Sequence, residues 1–372
     1  MRIVTATVFA FELPCRTPLP VGGARITRRS GHLLVLRDES GRAAAGEAAP
    51  LPGRRDGAAG RCLGALRAWA ARLSGAAWDP TRFDPRAPLM GLLPPAPAHE
   101  ADPDALFAVE SALFFLAAGR APHRLKLLGG DPAAADGVPV NGLFLPEEDT
   151  ARQAARLRRS GVTTVKVKIG QLPPEVEIRR VRDLHARLGA GVRLRLDGNR
   201  LLTAAELRRY HHGLQALPVE YVEEPVRGDD LEAVPGVPWP LAADELAGRY
   251  LDPARPDLKC LPVCCAAVVI KPTLFSGLHP LCRLLAAAGP DSPRVVLSSA
   301  WNTGITLTLL GMLAAASPAT ARSAHGLDTL GYFDADVVTE SPVVAGGRLH
   351  LPAWAGNGEL RLNTAVVRRV AP

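Results

Sequence analysis

The sequence predicts an α/β fold in which parallel βα units close into a barrel behind an α+β segment. Three observations predict it. From about Val138, short β-like runs alternate with helical stretches. Functional-looking residues recur at the ends of those runs, at positions 168, 197, 223, 244, 271 and 298, which are 21 to 29 residues apart. That is room for one strand, one helix and two short loops. The first third of the chain reads differently, as strand, hairpin and helices. Charged groups from five successive strands meet only if the sheet curls around an axis, which favours a closed barrel over an open twisted sheet. No Gly-rich fingerprint follows an early strand, which also disfavours a dinucleotide-binding sheet.

The elements follow in order. Residues 2–12 read as a strand, and 32–37 with 42–49 as a hairpin about the turn Asp38-Glu39-Ser40-Gly41. Residues 62–73 and 105–118 carry apolar positions at helical spacing, separated by a Pro-rich linker at 80–103. In the repeating part, 163–169 is a strand and 173–188 a helix with Val181, Leu184 and Leu188 on one face and Gly189 as its stop. Residues 192–197 form the next strand, and Thr203 with Glu206 makes a capping box for the helix after it. Residues 220–223, 241–244, 266–271 and 294–298 continue the train of strands.

The 372 residues are 47% hydrophobic and 22% charged, the balance of a folded chain with room for one large and one smaller domain. The longest apolar stretch, 260–270, is interrupted by Pro262 and is too short to span a bilayer. The first twelve residues lack a small-residue cleavage site after them, so they read as a strand and not as a leader. Six cysteines in so long a chain point to a reducing cytoplasm. Cys260, Cys264 and Cys265 read as buried structural thiols, because no further Cys or His pair follows at finger spacing. The net charge of +7 arises from Lys and Arg scattered among 37 acids. No basic stripe for nucleic acid results, while a positive field suits small anionic substrates.

The chemistry sits at the strand ends. Lys166 and Lys168 are two apart on a strand and share one face, with Val165, Val167 and Ile169 on the other. Inside a barrel both faces are covered, so such lysines are costly unless they serve a site. Asp197, ahead of Gly198 and Asn199, lies at a strand–helix junction, and Arg195, Asp197 and Asn199 share the lumen side. Asp197, Glu223 and Asp244 end three consecutive strands, and three carboxylates aimed at one point call for a cation. An oxygen-only set fits Mg²⁺, with Mn²⁺ as a substitute. Lys271 ends the next strand and faces Lys168 across the barrel. Two lysines about a bound carboxylate suit removal of a proton from a weak carbon acid.

Lys166-Val167-Lys168, Leu196-Asp197-Gly198-Asn199, Val222-Glu223-Glu224-Pro225, Ala243-Asp244-Glu245 and Ile270-Lys271-Pro272 resemble, in order, the motifs of the enolase superfamily in its muconate-cycloisomerase-like branch. Within it, the stretches 46–53, 271–274 and 326–330 are similar to those of the o-succinylbenzoate synthases, with N-acylamino-acid racemases and dipeptide epimerases as the alternative. The resemblance implies a modified TIM-like barrel, (β/α)7β, over 131–349, and an α+β capping domain over 1–130 completed by the tail 350–372. It implies Lys168 as general base, Lys166 as its electrostatic aid, Mg²⁺ on Asp197, Glu223 and Asp244, and Lys271 balancing charge from the opposite face. The implied reaction is a dehydration that yields an aromatic dicarboxylate. Arg28, Arg29 and the loop 48–54 are then candidates for specificity, and Asn199, Ser298 and Ser299 for holding substrate. The last two precede a helix at 303–315 whose N-terminus is expected to take a substrate carboxylate. Trp301 and Asn302 depart from the commoner synthase loops.

Overall fold

The structure, a computed structural model, describes every residue except 22–23, 54–56, 88–101, 121–127, 129–136, 233, 235–236, 276, 290, 322, 357 and 372. Much of the Pro-rich linker, and Arg54 of the loop 48–54, lie outside the described residues.

The chain opens with an antiparallel ribbon, β1 (Ile3–Val21) and β2 (Ala24–Asp38), to which β3 (Ala43–Ala48) is added. The ribbon runs well past the strand expected at residues 2–12. Pro18, which has no amide to give the ladder, falls within a register shift between Pro14 and Leu19, while Pro14 and Pro20 keep Arg28 and Arg25 as register partners. The turn after β2 is closed by Asp38, whose carboxylate accepts from the Ser40 amide (2.9 Å) and the Arg42 amide (3.0 Å). Two helices cover the sheet, α1 (Ala58–Leu73) and α2 (Pro103–Arg120), burying Leu66, Trp69, Phe107 and Phe114. Helix α2 lies so close to β3 that a Cβ on Gly46 would stand 1.8 Å from the Ala108 carbonyl oxygen. Only glycine permits that approach.

The short strand β4 (Val138–Pro139) leads into the repeating units. Strand β5 (Gly142–Phe144) precedes α3 (Thr150–Ser160), β6 (Thr164–Lys168) precedes α4 (Pro174–Leu188), and β7 (Arg193–Asp197) precedes α5 (Ala204–Leu214). The predicted capping box of Thr203 and Glu206 opens α5. Strand β8 (Val219–Glu223) is followed by β9 (Leu241–Ala243), the single-turn α6 (Ala247–Tyr250), β10 (Cys265–Ile270) and α7 (Leu278–Ala287). Strand β11 (Arg294–Leu297) and α8 (Gly304–Ala316) complete the series. The expectation of one helix per unit fails between β8 and β9, where the described residues form no α-helix. Pro225, Pro235, Pro238 and Pro240 in that connection remove the donors that a helix needs.

Strands β5 to β11 form one parallel seven-stranded sheet in sequence order. Residues 325 and 326 close it, since His325 bridges Val140 beside β5 and Gly326 bridges Ser298 beside β11, both in parallel. The His325 ring reinforces the seam. Its Nδ1 accepts from the Leu297 amide at 3.0 Å, and its Nε2 lies 3.1 Å from the Thr320 carbonyl. Burial drives this imidazole down to a pKa of about 3, although the Thr320 contact favours its proton.

The lower lumen is filled by Arg195, Tyr221, Ala242 and Ala267. A register shift between Leu194 and Arg195 leaves Glu220 as a bulge on β8, and its carboxylate meets Arg195 Nε at 2.7 Å and Arg193 Nε at 3.1 Å. A small sheet joins β4 to β13 (Arg348–His350) and β12 (Val343–Ala345). The last strand, β14 (Val367–Arg369), pairs with the outer side of β1.

The cysteine expectation holds only for Cys265. Cys260 and Cys264 are exposed, because the chain turns outward at the barrel floor around Val263 before entering β10. No helix among the described residues is long and apolar enough to cross a membrane.

Candidate active site

In parallel register Lys168 lies beside Asp197, and Asp197 beside Glu223. Val165, Val167 and Ile169 point outward into the core, so the alternation of the strand delivers both lysines of β6 to the lumen. Lys166 Nζ lies 2.7 Å from Asp197 Oδ2 and 2.6 Å from Glu223 Oε1. Lys168 Nζ donates to Asp197 Oδ2 at 2.6 Å and to Asn199 Oδ1. Just past β10, Lys271 donates to Asp244 Oδ2. The carboxylates are buried, whereas the side chains of Lys166, Lys168 and Lys271 keep 15%, 24% and 18% exposure toward the mouth. The structure therefore brings all six residues of the lysine and carboxylate set to one rim.

The local backbone explains how. After Asp197 the chain passes two left-handed residues, Asn199 (φ 42°) and Arg200 (φ 60°), and the Asn199 amide donates back to Asp197 Oδ1 at 3.0 Å. Gly198 has the Pro225 backbone against it, with room for no side chain. Glu224, also left-handed at φ 36°, turns its carboxylate to accept from the amides of Asp244 (2.7 Å) and Leu246 (2.6 Å). It fixes the loop that carries the third carboxylate. Burial, then a hydrogen bond with Glu245, pushes its carboxyl up to about 8. The paired acids of Glu223-Glu224 were the only sequence signal for this role.

Burial opposes the charge of Lys166, yet Asp197, Glu223 and Asp244 lift it well above the ordinary lysine range, so it is a fixed cation. Burial likewise opposes Lys271, and Asp244 joined by Glu245 and Glu223 raises it above the ordinary range. At Asp197 burial acts upward, and the two ammonium groups of Lys166 and Lys168 overcome it and hold the acid far below its usual range. Glu223 goes the other way: burial first, then the charge of Asp197, push its carboxyl well up. Three lysines thus do not quench all the repulsion within the acidic trio. Among the described residues no three acid, His or Cys side chains already stand as a finished metal cage, and Lys166 sits between Asp197 and Glu223. The donor chemistry, all carboxyl oxygen with repulsion from Asp197 left unbalanced at Glu223, fits a hard divalent cation.

The remaining sequence candidates fall in different places. Ser298 is half-buried at the rim, and Ser299 Oγ is tied to Thr329 Oγ1 at 2.8 Å. The α8 N-terminus is not open to a substrate carboxylate, contrary to expectation. Its Thr303 amide donates to Glu47 (3.0 Å) and its Gly304 amide to Asp336 (2.9 Å), two buried carboxylates that already satisfy the helix end. Arg28 is not gathered with the lysines, being exposed on the ribbon and paired with Glu12. Arg29 is fully buried and donates to the carbonyls of Ala49, Pro50 (2.8 Å) and Trp301 (3.0 Å), a strut between cap and barrel.

A second strut, Glu110 of α2, accepts from the Leu278 amide at the start of α7 at 2.7 Å. Sequence reading missed Glu47 and Glu110 because their partners lie 256 and 168 residues away.

Fold and site define a capped-barrel enzyme. Residues 149–360 match the family described as enolase C-terminal domain-like. Over 313 residues, 81% of this chain and 85% of its relative, the sequence is 30% identical to an o-succinylbenzoate synthase of Thermosynechococcus vestitus. It is 29% identical to an L-Ala-D/L-Glu epimerase of Clostridium acetobutylicum over 56% of this chain and 59% of that one. The crystal structure of a dipeptide epimerase from Methylococcus capsulatus, complexed with Mg and the dipeptide L-Arg-D-Lys, superposes with a TM-score of 0.75 at 24% identity, covering 99% of this chain and all of the other. The chain belongs to the enolase superfamily.

Proposed function

We propose that the protein is an o-succinylbenzoate synthase, which dehydrates 2-succinyl-6-hydroxy-2,4-cyclohexadiene-1-carboxylate to o-succinylbenzoate in menaquinone or phylloquinone synthesis. The observation that carries the reading is the placement of Lys168 and Lys271 on opposite sides of the Asp197, Glu223 and Asp244 trio, in a chain that aligns along most of a synthase. The substrate is a small carboxylate anion, drawn in by the net charge of +7. Nucleic acid and membrane have no part in the reading, and the cytoplasm is its setting.

In this mechanism the substrate carboxylate lies at the rim with its alpha carbon facing Lys168. Lys168, aimed by Asp197 and Asn199, takes the alpha proton. The C–H electron pair becomes the new C=C bond as the C–O bond breaks on the same face, and Lys168 returns the proton to the departing hydroxide, which leaves as water. Lys166 and Lys271 are fixed cations that offset charge gathering on the carboxylate. Asp197, Glu223 and Asp244 would hold a divalent cation, Mg²⁺ or Mn²⁺, whose charge makes the alpha proton more acidic.

The test is direct. Purified protein with Mg²⁺ and the cyclohexadiene substrate is expected to generate the aromatic absorbance of the product, and a folded, metal-loaded protein that leaves the substrate unchanged rejects the assignment. A second reading is favoured by the epimerase relative and by the same two lysines, which could exchange a proton on either face of an alpha carbon. Deuterium uptake from heavy water into the alpha position of dipeptides or N-acylamino acids, without dehydration of the synthase substrate, would select it.

A further inference from the structure

Five of the eight strand ends around the mouth, those of β6 to β10, carry the lysines and carboxylates. The arc free of them is formed by the ends of β11, the 325–326 segment and β5. That arc is built around Trp301, whose φ of 59° is a left-handed conformation that a bulky side chain adopts only under constraint. The constraint is on both sides of it. Its carbonyl accepts from Arg29 Nε at 3.0 Å, while the next residue, Asn302, donates to Glu47 Oε1 at 3.1 Å and accepts from the Ala300 amide at 2.8 Å. Arg29 and Glu47 are both fully buried and both belong to the capping sheet.

Held in this way, the indole meets the Tyr332 ring edge-on, with centroids 5.2 Å apart and planes at 78°. Tyr332 in turn stacks near the Arg156 guanidinium of α3, at 5.8 Å. Both rings keep part of their surface exposed. The ribbon is docked beside them, since Cys15 bridges Phe333 and Arg16 Nε donates to the Phe333 carbonyl at 2.8 Å. An aromatic wall thus stands on the arc opposite the acids, with the ribbon end next to it.

We propose that Trp301 is a specificity-determining residue, its indole packing against a planar hydrocarbon ring that bears the reacting carboxylate, with Arg29 and Glu47 as positioning residues that set its backbone. The inference rests on the carbon-acid reading of the site and narrows the substrate class to ring-bearing carboxylates over open-chain ones of equal charge. An apolar contact of this size is expected to give at least about a tenfold preference.

The experiment measures binding by calorimetry in the presence of Mg²⁺, with o-succinylbenzoate as the ring probe and glutarate as the open-chain probe. The native protein is expected to bind the ring probe at least about tenfold more tightly. Trp301→Ala is expected to remove that preference while leaving glutarate affinity within about twofold, and Trp301→Phe to retain most of it. Glu47→Gln, which weakens the clamp and leaves the indole in place, is expected to lower the preference without abolishing folding. Should Trp301→Ala fail to fold, loss of preference in Glu47→Gln carries the test. A native protein without ring preference, or a folded Trp301→Ala variant that keeps it, overturns the proposal. Ring preference without dehydration of the cyclohexadiene substrate removes the synthase assignment alone.

Discussion

Lys168 and Lys271 face each other from strands that are not neighbours, so their roles separate by substitution. Lys168→Ala is expected to lower kcat by at least about a thousandfold, with circular dichroism and Mg²⁺ binding largely unchanged. Lys271→Ala should depress kcat more than Mg²⁺ affinity, and the reverse pattern would remove it from charge balance at the substrate. Glu224 gives a second contrast. Its Oε1 accepts two amides of the Asp244 loop, so Glu224→Gln, which keeps an acceptor, should preserve Mg²⁺ affinity. Glu224→Ala should weaken that affinity by about tenfold or more, as losses behind metal ligands do. Titration of the two variants with Mg²⁺ decides it, and equal affinities would mean that the loop holds itself. The lysine and carboxylate set was legible in sequence because its members lie at strand ends, with Lys166 one alternation before the end of β6. Glu224 was not, because its function depends on a left-handed turn that no local pattern announces.

At the scale of elements, the close seat of α2 on β3 depends on Gly46. Gly46→Ala brings a Cβ into the backbone of Ala108, and the shift it forces is expected to cost about 1–3 kcal/mol, read as a fall in the urea midpoint. An unchanged midpoint would show that the helix can lift away freely. The barrel strands were readable because buried parallel strands are short apolar runs between helical stretches. The ribbon was underestimated because whether a strand tolerates Pro14, Pro18 and Pro20 depends on how its partner strand pairs with it. The helix expected between β8 and β9 failed for the opposite reason, since spacing alone said nothing of the prolines within it. Helix α8 was found, but the occupation of its N-terminus by Glu47 and Asp336 depends on contacts far away in sequence.

For the whole molecule, the seam at His325 ties stability to pH. The folded ring has a pKa near 3 against about 6.5 in the unfolded chain. Only the unfolded state takes up this proton between those values, so the contribution is fully present above about pH 6.5 and is lost as pH falls toward 3. Each pH unit within the window removes up to about 1.4 kcal/mol. Urea unfolding from pH 7.5 to 4.5 should show this slope, and His325→Gln should flatten it while lowering stability at pH 7.5. A parallel slope in the variant would assign the acid sensitivity to other groups. The cap and the barrel share one continuous core, so loosening the seam should be felt in both at once, as a single transition.

The pairing of Phe11 with Val367 joins segments 356 residues apart. During synthesis the outer edge of β1 therefore has no strand to cover it until nearly all of the barrel has left the ribosome. For that interval the nascent chain presents bare amides and carbonyls along an edge rich in apolar side chains. Completion of that edge thereby waits on residues 367–369, and a ribosome that stalls before residue 367 leaves behind a barrel with an adhesive, unfinished lid.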